Sequence, residues 1–338
     1  MKAFFDPAQQ AHDPKHFLVA GTPQPCPETP HRASLLTQGA KDAGYVLDMP
    51  PDAGMGPIAA VHPSRYLTFL ENIHARWIRL DGASDEVIPN VHPLSRNDSY
   101  PSSAIGQAGF HMADTACPIG PHTFRAAYAA AQTAVAAADA TALSGTHSYA
   151  LCRPPGHHAC IDRAGGFSFL NNAAIATERL IRKGWRIAIL DIDVHHGNGT
   201  QDIFYDRGDV LTVSIHTDPN AFYPFFRGHA HECGADEGHG ANLNLPLPKG
   251  ADLSAYRPAL SHALDRIAAF GAQAIVVALG LDTHISDPFR GMTLETTAYT
   301  EIAHTLKSAE LPLILVQEGG YVSDHLAINL ATFLSALD

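Results

Sequence analysis

Apolar runs recur along the chain, separated by stretches in which apolar positions return every three to four residues. Lys2–Phe5, Tyr45–Leu47, Tyr149–Leu151, Arg186–Leu190, Val210–Ile215, Ala274–Leu279 and Leu313–Gln317 read as strands. Ile275–Leu279 and Leu313–Val316 are apolar on both faces, as parallel strands covered by helices on each side should be. Between the runs, helical spacing covers Pro30–Asp42, Ser64–Leu80, His122–Ala140, Asn171–Lys183, Leu253–Phe270, Thr296–Ser308 and Asp324–Leu337. Strand alternating with helix predicts an α/β chain, three-layer α/β/α with a mainly parallel central sheet. Ligands of such sheets bind beyond the carboxyl ends of the strands.

Two segments break the alternation. Residues 82–121 are rich in Pro, Gly, Ser and Asn, and Thr217–Gly240 carries Phe222, Tyr223, Phe225, Phe226 and three histidines. Loops of this length in a compact domain are either functional or surface excursions, and the pattern leaves both open.

The chain has 338 residues, 46% of them hydrophobic, enough for a large core. No linker, repeat or low-complexity stretch divides it, so one domain over 1–338 is expected. A net charge of -12 argues against nucleic acid and anionic membrane as partners. No window has the length of a membrane span, and the first residues form no leader-like apolar stretch. The five cysteines are odd in number and lack CxxC spacing, which predicts free thiols and a cytoplasmic location.

The chemistry concentrates where strands end. After Ile187–Leu190 comes Asp191-Ile192-Asp193-Val194-His195-His196-Gly197. Period-two alternation places Asp191, Asp193 and His195 on one face. Leu151 is soon followed by Arg153-Pro154-Pro155-Gly156-His157-His158, Leu279 by Gly280-Leu281-Asp282, and Val316 by Gln317-Glu318-Gly319-Gly320-Tyr321. Parallel strands would bring all four ends to one rim. Asp193, His195 and Asp282 then form a set of two carboxylates and one imidazole, which leaves a metal an open position, as in catalytic zinc sites. Singly, each has an ordinary alternative, a helix cap for an Asp or a satisfied polar group for a His. His157 and His158 are expected to diverge along an extended backbone after a Pro-Pro-Gly turn, one toward a water, or else to be surface histidines. Gly319-Gly320 reads as a flexible hinge carrying the Tyr321 phenol, which could donate to an oxyanion. Gly197-Asn198-Gly199 reads as a helix entry, with Asn198 also able to orient a histidine.

Together these motifs, with Gly165-Gly166-Phe167, Asn171-Asn172-Ala173 and Gly197-Asn198-Gly199-Thr200-Gln201, resemble the zinc-dependent histone deacetylase superfamily. Within it the chain is most similar to bacterial acetylpolyamine amidohydrolases. The resemblance carries the proline-rich start from Pro23 to Pro30, the insertion before Cys117-Pro118, and Ser214-Ile215-His216 followed by Phe222-Tyr223-Pro224. It implies the arginase/deacetylase fold and hydrolysis of N-acetyl amides of small amines, acetylpolyamines or acetyl-lysine-like compounds. Other amides, or acyl-lysine in peptides and proteins, are the alternative. It implies Zn2+ on Asp193, His195 and Asp282, His158 as general base and His157 as its electrostatic partner backed by Asp191. Asn198 would orient His158, and Tyr321 would bond the oxyanion. Gly166, Phe167 and Tyr223 would line the substrate tunnel. It also implies K+ at Asp191, Asp193, His195, Ser214 and Ile215, with a second ion at Phe204, Arg207 and Val210, and a homodimer formed through the insertion.

Two positions depart from the family pattern. Ala116 stands where protein deacetylases place an Asp, and Phe289 stands where some polyamine-specific relatives have a Glu. Pro101–Met112 contains no acidic residue, which leaves Asp98, Asp114 or an Asp of a partner subunit to meet a distant ammonium. Competing expectations are a dinuclear manganese hydrolase, which would need further carboxylates and finds His284 two residues after Asp282 where one would help, and a non-catalytic acyl-amine binding protein.

Overall fold

The computed structural model describes residues 1–97 and 99–338. Eight strands form one parallel sheet: β1 (Lys2–Phe4), β4 (Leu47–Asp48), β5 (Ser148–Ala150), β6 (Ile187–Asp191), β7 (Val210–Thr217), β8 (Asn242–Leu247), β9 (Ala274–Leu279) and β10 (Leu313–Gln317). Their order across the sheet is β4-β1-β5-β10-β9-β6-β7-β8, with every pairing parallel. The four strands followed by polar motifs, β5, β10, β9 and β6, are neighbours in that order.

Strands β6, β9 and β10 are buried at every position. Alternate residues feed opposite faces of the sheet. Ile187, Ile189, Val276 and Ile314 enter one apolar core, covered by α3 (Ser64–Trp77), α5 (Thr123–Ser144) and α6 (Asn172–Ile181). Ala188, Leu190, Val277 and Leu315 enter the other, covered by α1 (Pro30–Asp42), α8 (Leu253–Phe270), α9 (Thr296–Lys307) and α10 (Leu326–Leu337). The three-layer expectation therefore holds, and its origin is a sheet that is apolar on both faces.

Several local expectations are corrected. The strand placed at Tyr45–Leu47 is Leu47–Asp48, a two-residue edge pairing with β1, and Val46 points to solvent. Edge β8 had no counterpart in the sequence reading, because Pro246 interrupts its run. The Pro-rich segment near the N-terminus contains a two-stranded hairpin, β2 (His16–Val19) with β3 (Thr22–Pro25). It turns at Ala20 and Gly21, both at positive φ, as tight hairpin turns require. The 82–121 segment is not a bare loop: it holds α4 (Ala104–His111) and an antiparallel bridge between Val87 and Ile119. The remaining short helices are α2 (Gly56–Ala59) and α7 (Asn198–Phe204).

A buried charge cluster joins three distant segments. Glu28 accepts from Arg32 Nη1 at 2.7 Å and from Arg153 Nη2 at 2.9 Å, and the three side chains are fully buried. Arg32 also donates to the carbonyls of Glu318 and Gly320, each at 2.6 Å. The start of α1 is thereby tied to the loops after β5 and β10. Burial pushes the Glu28 carboxyl up, but Arg153 and Arg32 outweigh it and hold it below the usual carboxylate range.

Replacing Glu28 with Gln leaves two buried guanidiniums short of their counter-charge. The expected cost is about 3–5 kcal/mol in a denaturant titration. The lowered Glu28 value adds stability that is complete above the ordinary carboxylate value of about 4.3. That stability is lost as pH falls through the lower folded value. The stability of Glu28→Gln should therefore fall less steeply than that of the native chain below about pH 4. Equal slopes would remove Glu28 from the acid response.

Candidate active site

The chain after β6 bends so that Asp191, Asp193 and His195 face the space beyond β9 and β10. Asp191 closes β6, and its Oδ1 accepts from Asp193 N at 3.0 Å. Asp193 Oδ1 accepts from His195 N at 2.9 Å, and its Oδ2 accepts from Gly319 N at 2.8 Å. Asp282, three residues beyond β9, accepts from Val194 N at 3.0 Å through Oδ1. Its Oδ2 is buried without a hydrogen-bond donor and lies 3.3 Å from His195 Nδ1. One ligand atom from each of Asp193, His195 and Asp282 falls within 4.8 Å of the others, and all three side chains are buried.

This pocket is short of positive charge. Burial opposes ionisation of Asp193, but His157 and His195 outweigh it and hold its carboxyl low. Burial, then Asp193, pushes Asp282 up to about 6. Burial opposes protonation of His195, yet the two carboxylates raise its pKa to about 9. A cation between these atoms would stabilise the Asp282 carboxylate and take the place of the proton on His195, and the orphaned Asp282 oxygen gives it a ligand. Two carboxylates and an imidazole suit zinc.

The glycines around the cluster create its space. A Cβ on Gly319 would sit 2.1 Å from Asp282 Oδ2 and 2.4 Å from Asp193 Oδ2, and one on Gly280 would sit 2.4 Å from Asp193 Oδ2. The expected hinge at Gly319-Gly320 is corrected accordingly. Gly319 is held by the Asp193 carboxylate, and its missing side chain lets two carboxylates approach.

His157 and His158 do not diverge. The chain turns there and sets the two rings side by side, with centroids 4.0 Å apart. Both are buried, which also removes the surface alternative. Glu318 Oε2 shapes the turn by accepting from Gly156 N at 2.6 Å and His157 N at 3.0 Å. His157 Nδ1 lies 2.9 Å from Asp191 Oδ2, and His158 Nδ1 lies 2.7 Å from Asn198 Oδ1. The partners separate the two rings electrically. Burial opposes protonation of His157, but Asp191 outweighs it and raises the pKa to about 10. Burial, and then the neighbouring His157 and His195, drive His158 well below its ordinary value.

Tyr321 is buried and lines the same cleft as His158 and His195. Its backbone N donates to Asp287 Oδ2 at 3.0 Å, and the Arg32 guanidinium lies 4.7 Å above its ring. Phe289 and Phe167 pack against the same ring, at 4.8 and 5.9 Å between centroids. Gly166 has φ +48, and a Cβ there would lie 2.5 Å from His158 Cδ2, so a side chain would press on the imidazole. Tyr223 crosses His158 edge-on at 4.9 Å, and Phe222 stacks on His195 at 5.0 Å.

A cleft of about 740 Å3 runs outward from His158, His195 and Tyr321, between Phe167 and Tyr223, to Phe225 and Phe226. The loop carrying Tyr223 is pinned from behind. Glu232 Oε2 accepts from Gln201 Nε2 at 2.7 Å and from Gly228 N at 2.8 Å. His196 faces this rear network: its Nε2 lies 3.1 Å from Gln201 Oε1. His284 turns to Ser286 and Thr296, away from the Asp282 cluster. No second cluster able to hold a metal occurs among the described residues. Asp98 lies outside the described residues.

Sequence reasoning missed Glu28, Arg32, Glu318 and Asp287 as parts of this site. One signal was available. Arg32 falls on the same helical stripe as Leu36 and Ala40, and a charge on a buried face needs a partner. Asp287 and Glu318 gave no such signal, since their roles rest on backbone amides brought up by the fold.

The chain matches the histone deacetylase domain model over residues 26–337. It is 42% identical over 334 residues to an acetylpolyamine amidohydrolase of Burkholderia pseudomallei (strain 1710b), covering 98% of this chain and 97% of that one. An acetylpolyamine amidohydrolase of Mycoplana ramosa is 40% identical over 340 residues, covering 100% and 99%. A crystal structure of acetylpolyamine aminohydrolase from Burkholderia pseudomallei superposes with a TM-score of 0.97, at 42% identity and 100% and 98% coverage.

An alanine at Gly319 should fold yet lose at least tenfold in affinity for Zn2+, measured by competition with a chelator. Unchanged affinity would show that the two carboxylates do not share one ion.

Proposed function

Because the chain belongs to the histone deacetylase family, we propose that it is a zinc-dependent amidohydrolase removing acetyl groups from small N-acetylated amines. The observation that carries this reading is the convergence of Asp193, His195 and Asp282 with His157, His158 and Tyr321 at the base of one cleft. Relatives named for acetylpolyamines align over nearly their whole length, which supports acetylpolyamines and acetyl-lysine-like amides as the substrate class.

Asp193, His195 and Asp282 would hold the zinc. When bound, it would supply Lewis acidity toward the acyl carbonyl and the attacking water. His158 faces the cleft with Nδ1 engaged by Asn198, which leaves Nε2 to take a proton from that water and pass it to the leaving amine. A neutral amide oxygen orients this imidazole without making it strongly basic. His157, paired with Asp191, would hold a positive charge beside the developing anion. Tyr321 O–H, in the same cleft, would donate to the oxyanion. Gly166, Phe167 and Tyr223 would confine the acyl-amine chain.

Three further assignments go with this reading. Asp191 pairs with Ser214 in the β6–β7 ladder, which supports a potassium site at Asp191, Ser214 and Ile215. Exposed Val91 and Leu94 on the 82–121 segment favour a homodimer through that surface. No helix among the described residues is long and apolar enough to cross a membrane, and the five cysteines are unpaired, which favours the cytoplasm.

Tyr321→Phe should keep its zinc in elemental analysis but lose about 10²–10³ in kcat on an unactivated acetyl amide. Near-normal turnover would take Tyr321 out of the chemistry. Asp282→Ala should lose both metal and activity. A zinc-loaded native protein that hydrolyses no acetyl amide would favour the binding-protein reading. For the assembly, Val91→Asp combined with Leu94→Asp should halve the mass seen by light scattering. A native chain that is already monomeric sinks the dimer.

A further inference from the structure

The turn that carries Gly166 and Phe167 into the cleft is built on the end of the 82–121 segment. Met112 and Ala164 form a parallel bridge. Ala164 N donates to the carbonyl of His111 at 2.8 Å, and Ala113 N donates to that of Ala164 at 2.7 Å. Phe167 N then donates to the carbonyl of Ala116 at 3.1 Å. At the start of the turn, Asp162 is held by both Nη atoms of Arg96, at 2.8 and 2.5 Å, and its carbonyl lies 2.7 Å from His111 Nδ1. The turn over 162–167 takes its course from the segment laid beside it.

Asp114 extends this pairing to the aromatic loop on the other flank. Its Oδ1 accepts from Ala116 N at 2.8 Å. Its Oδ2 accepts from Gly166 N at 3.2 Å and from Tyr223 O–H at 2.6 Å. A phenol this close to a carboxylate makes a charge-assisted bond, roughly twice as strong as a neutral one. The fit around the phenol is tight. A Cβ on Gly166 would lie 2.9 Å from the Tyr223 oxygen, and one on Gly165 would lie 3.3 Å from Asp114 Oδ2. The oxygen is therefore lodged against bare backbone, and the ring behind it crosses His158 edge-on at 4.9 Å. Asp114, His158, Gly166, Phe167 and Tyr223 all line the one cleft. The Tyr223 ring is held by its own loop at one end and by Asp114 at the other, which locks the rotamer that bounds the passage.

From this geometry we propose that Asp114 is a positioning residue that sets the bore of the cleft in front of His158, and so selects acylated amines whose chain is unbranched next to the amide. The proposal rests on the amide-hydrolysis reading above and deepens it. An unbranched methylene chain, as in an acetylated polyamine, is thin enough to pass between Tyr223 and Phe167. A ring or branch beside the amide would push Tyr223 away from Asp114 and leave the carboxylate one donor short. Selection by shape then comes from a bond behind the wall, made by a residue of the 82–121 segment.

The test compares N-hexylacetamide, N-acetyl-1,6-diaminohexane and N-(cyclohexylmethyl)acetamide on the zinc-loaded native protein, Tyr223→Phe and Asp114→Ala. The native protein is expected to prefer the two unbranched compounds to the ring compound by about tenfold or more in kcat/KM. Each variant should narrow that preference at least threefold, chiefly by raising KM for the unbranched pair, and to the same extent for the neutral and the ammonium compound. The double variant should be no worse than the single ones, because both remove the same bond. Tyr223→Phe keeps the ring and removes one oxygen, so it tests the bond even where Asp114→Ala fails to fold. An unchanged preference in Tyr223→Phe, or additive losses in the double variant, overturns the proposal. So does a loss confined to the ammonium compound in Asp114→Ala, which would make Asp114 a charge partner of the substrate. These outcomes leave amide hydrolysis standing. If the loaded native protein hydrolyses none of the three, nor a trifluoroacetyl-lysine aminocoumarin control, the hydrolase reading falls and the proposal with it.

Discussion

The burial of negative charge at the carboxyl edge of the sheet is the constraint that the site answers to. Asp191, Asp193, Asp282 and Glu318 lie at the ends of β6, β9 and β10, each no more than 2% exposed. A carboxylate moved out of water costs several kcal/mol unless paired or hydrogen-bonded. The fold meets that cost with backbone amides first: Gly156, His157, Val194, His195 and Gly319 each donate to one of these groups. Imidazoles come second, with His157 on Asp191 and His195 between Asp193 and Asp282. Protein donors run out at Asp282 Oδ2 and at Glu318 Oε1, and at Asp282, beside Asp193 and His195, a cation would take their role.

The same constraint explains why a second layer of charge sits behind the first. Glu28 with Arg32 and Arg153 brings guanidinium groups to the carbonyls of Glu318 and Gly320 and to the face of Tyr321. The phenol is thus placed by an ion cluster that begins just before α1, at Glu28, and closes on a loop nearly three hundred residues later. Removing a member would leave an uncompensated buried charge, so this cluster stands or falls as a unit.

The wall in front of the site follows a different rule. It is built by loops and by a hairpin rather than by strand ends, and aromatic faces dominate it. Tyr223 reaches the cleft because Glu232 and Asp114 pin its loop from two sides. The base and the mouth of the cleft are therefore built by separate parts of the chain.

The sequence by itself determined the layered fold and the rim on which chemistry gathers. Runs such as Ala274–Leu279 are apolar on both faces, and that composition alone demands cover on each side. Asp193, His195 and Asp282 were legible because each follows such a run within three residues or five, where chain direction leaves little choice of location. Edge strands were the least legible, β4 with shifted bounds and β8 not at all, since both bury too little and carry too many polar or proline positions to show a period. Only the tertiary structure decided that His157 and His158 lie side by side, that Gly319 is a gap for two carboxylates rather than a hinge, and that Arg32 touches Tyr321. Each of these depends on which segments meet in space. Contacts between distant segments leave no period in the chain, and a charge on a buried stripe announces only that some partner exists.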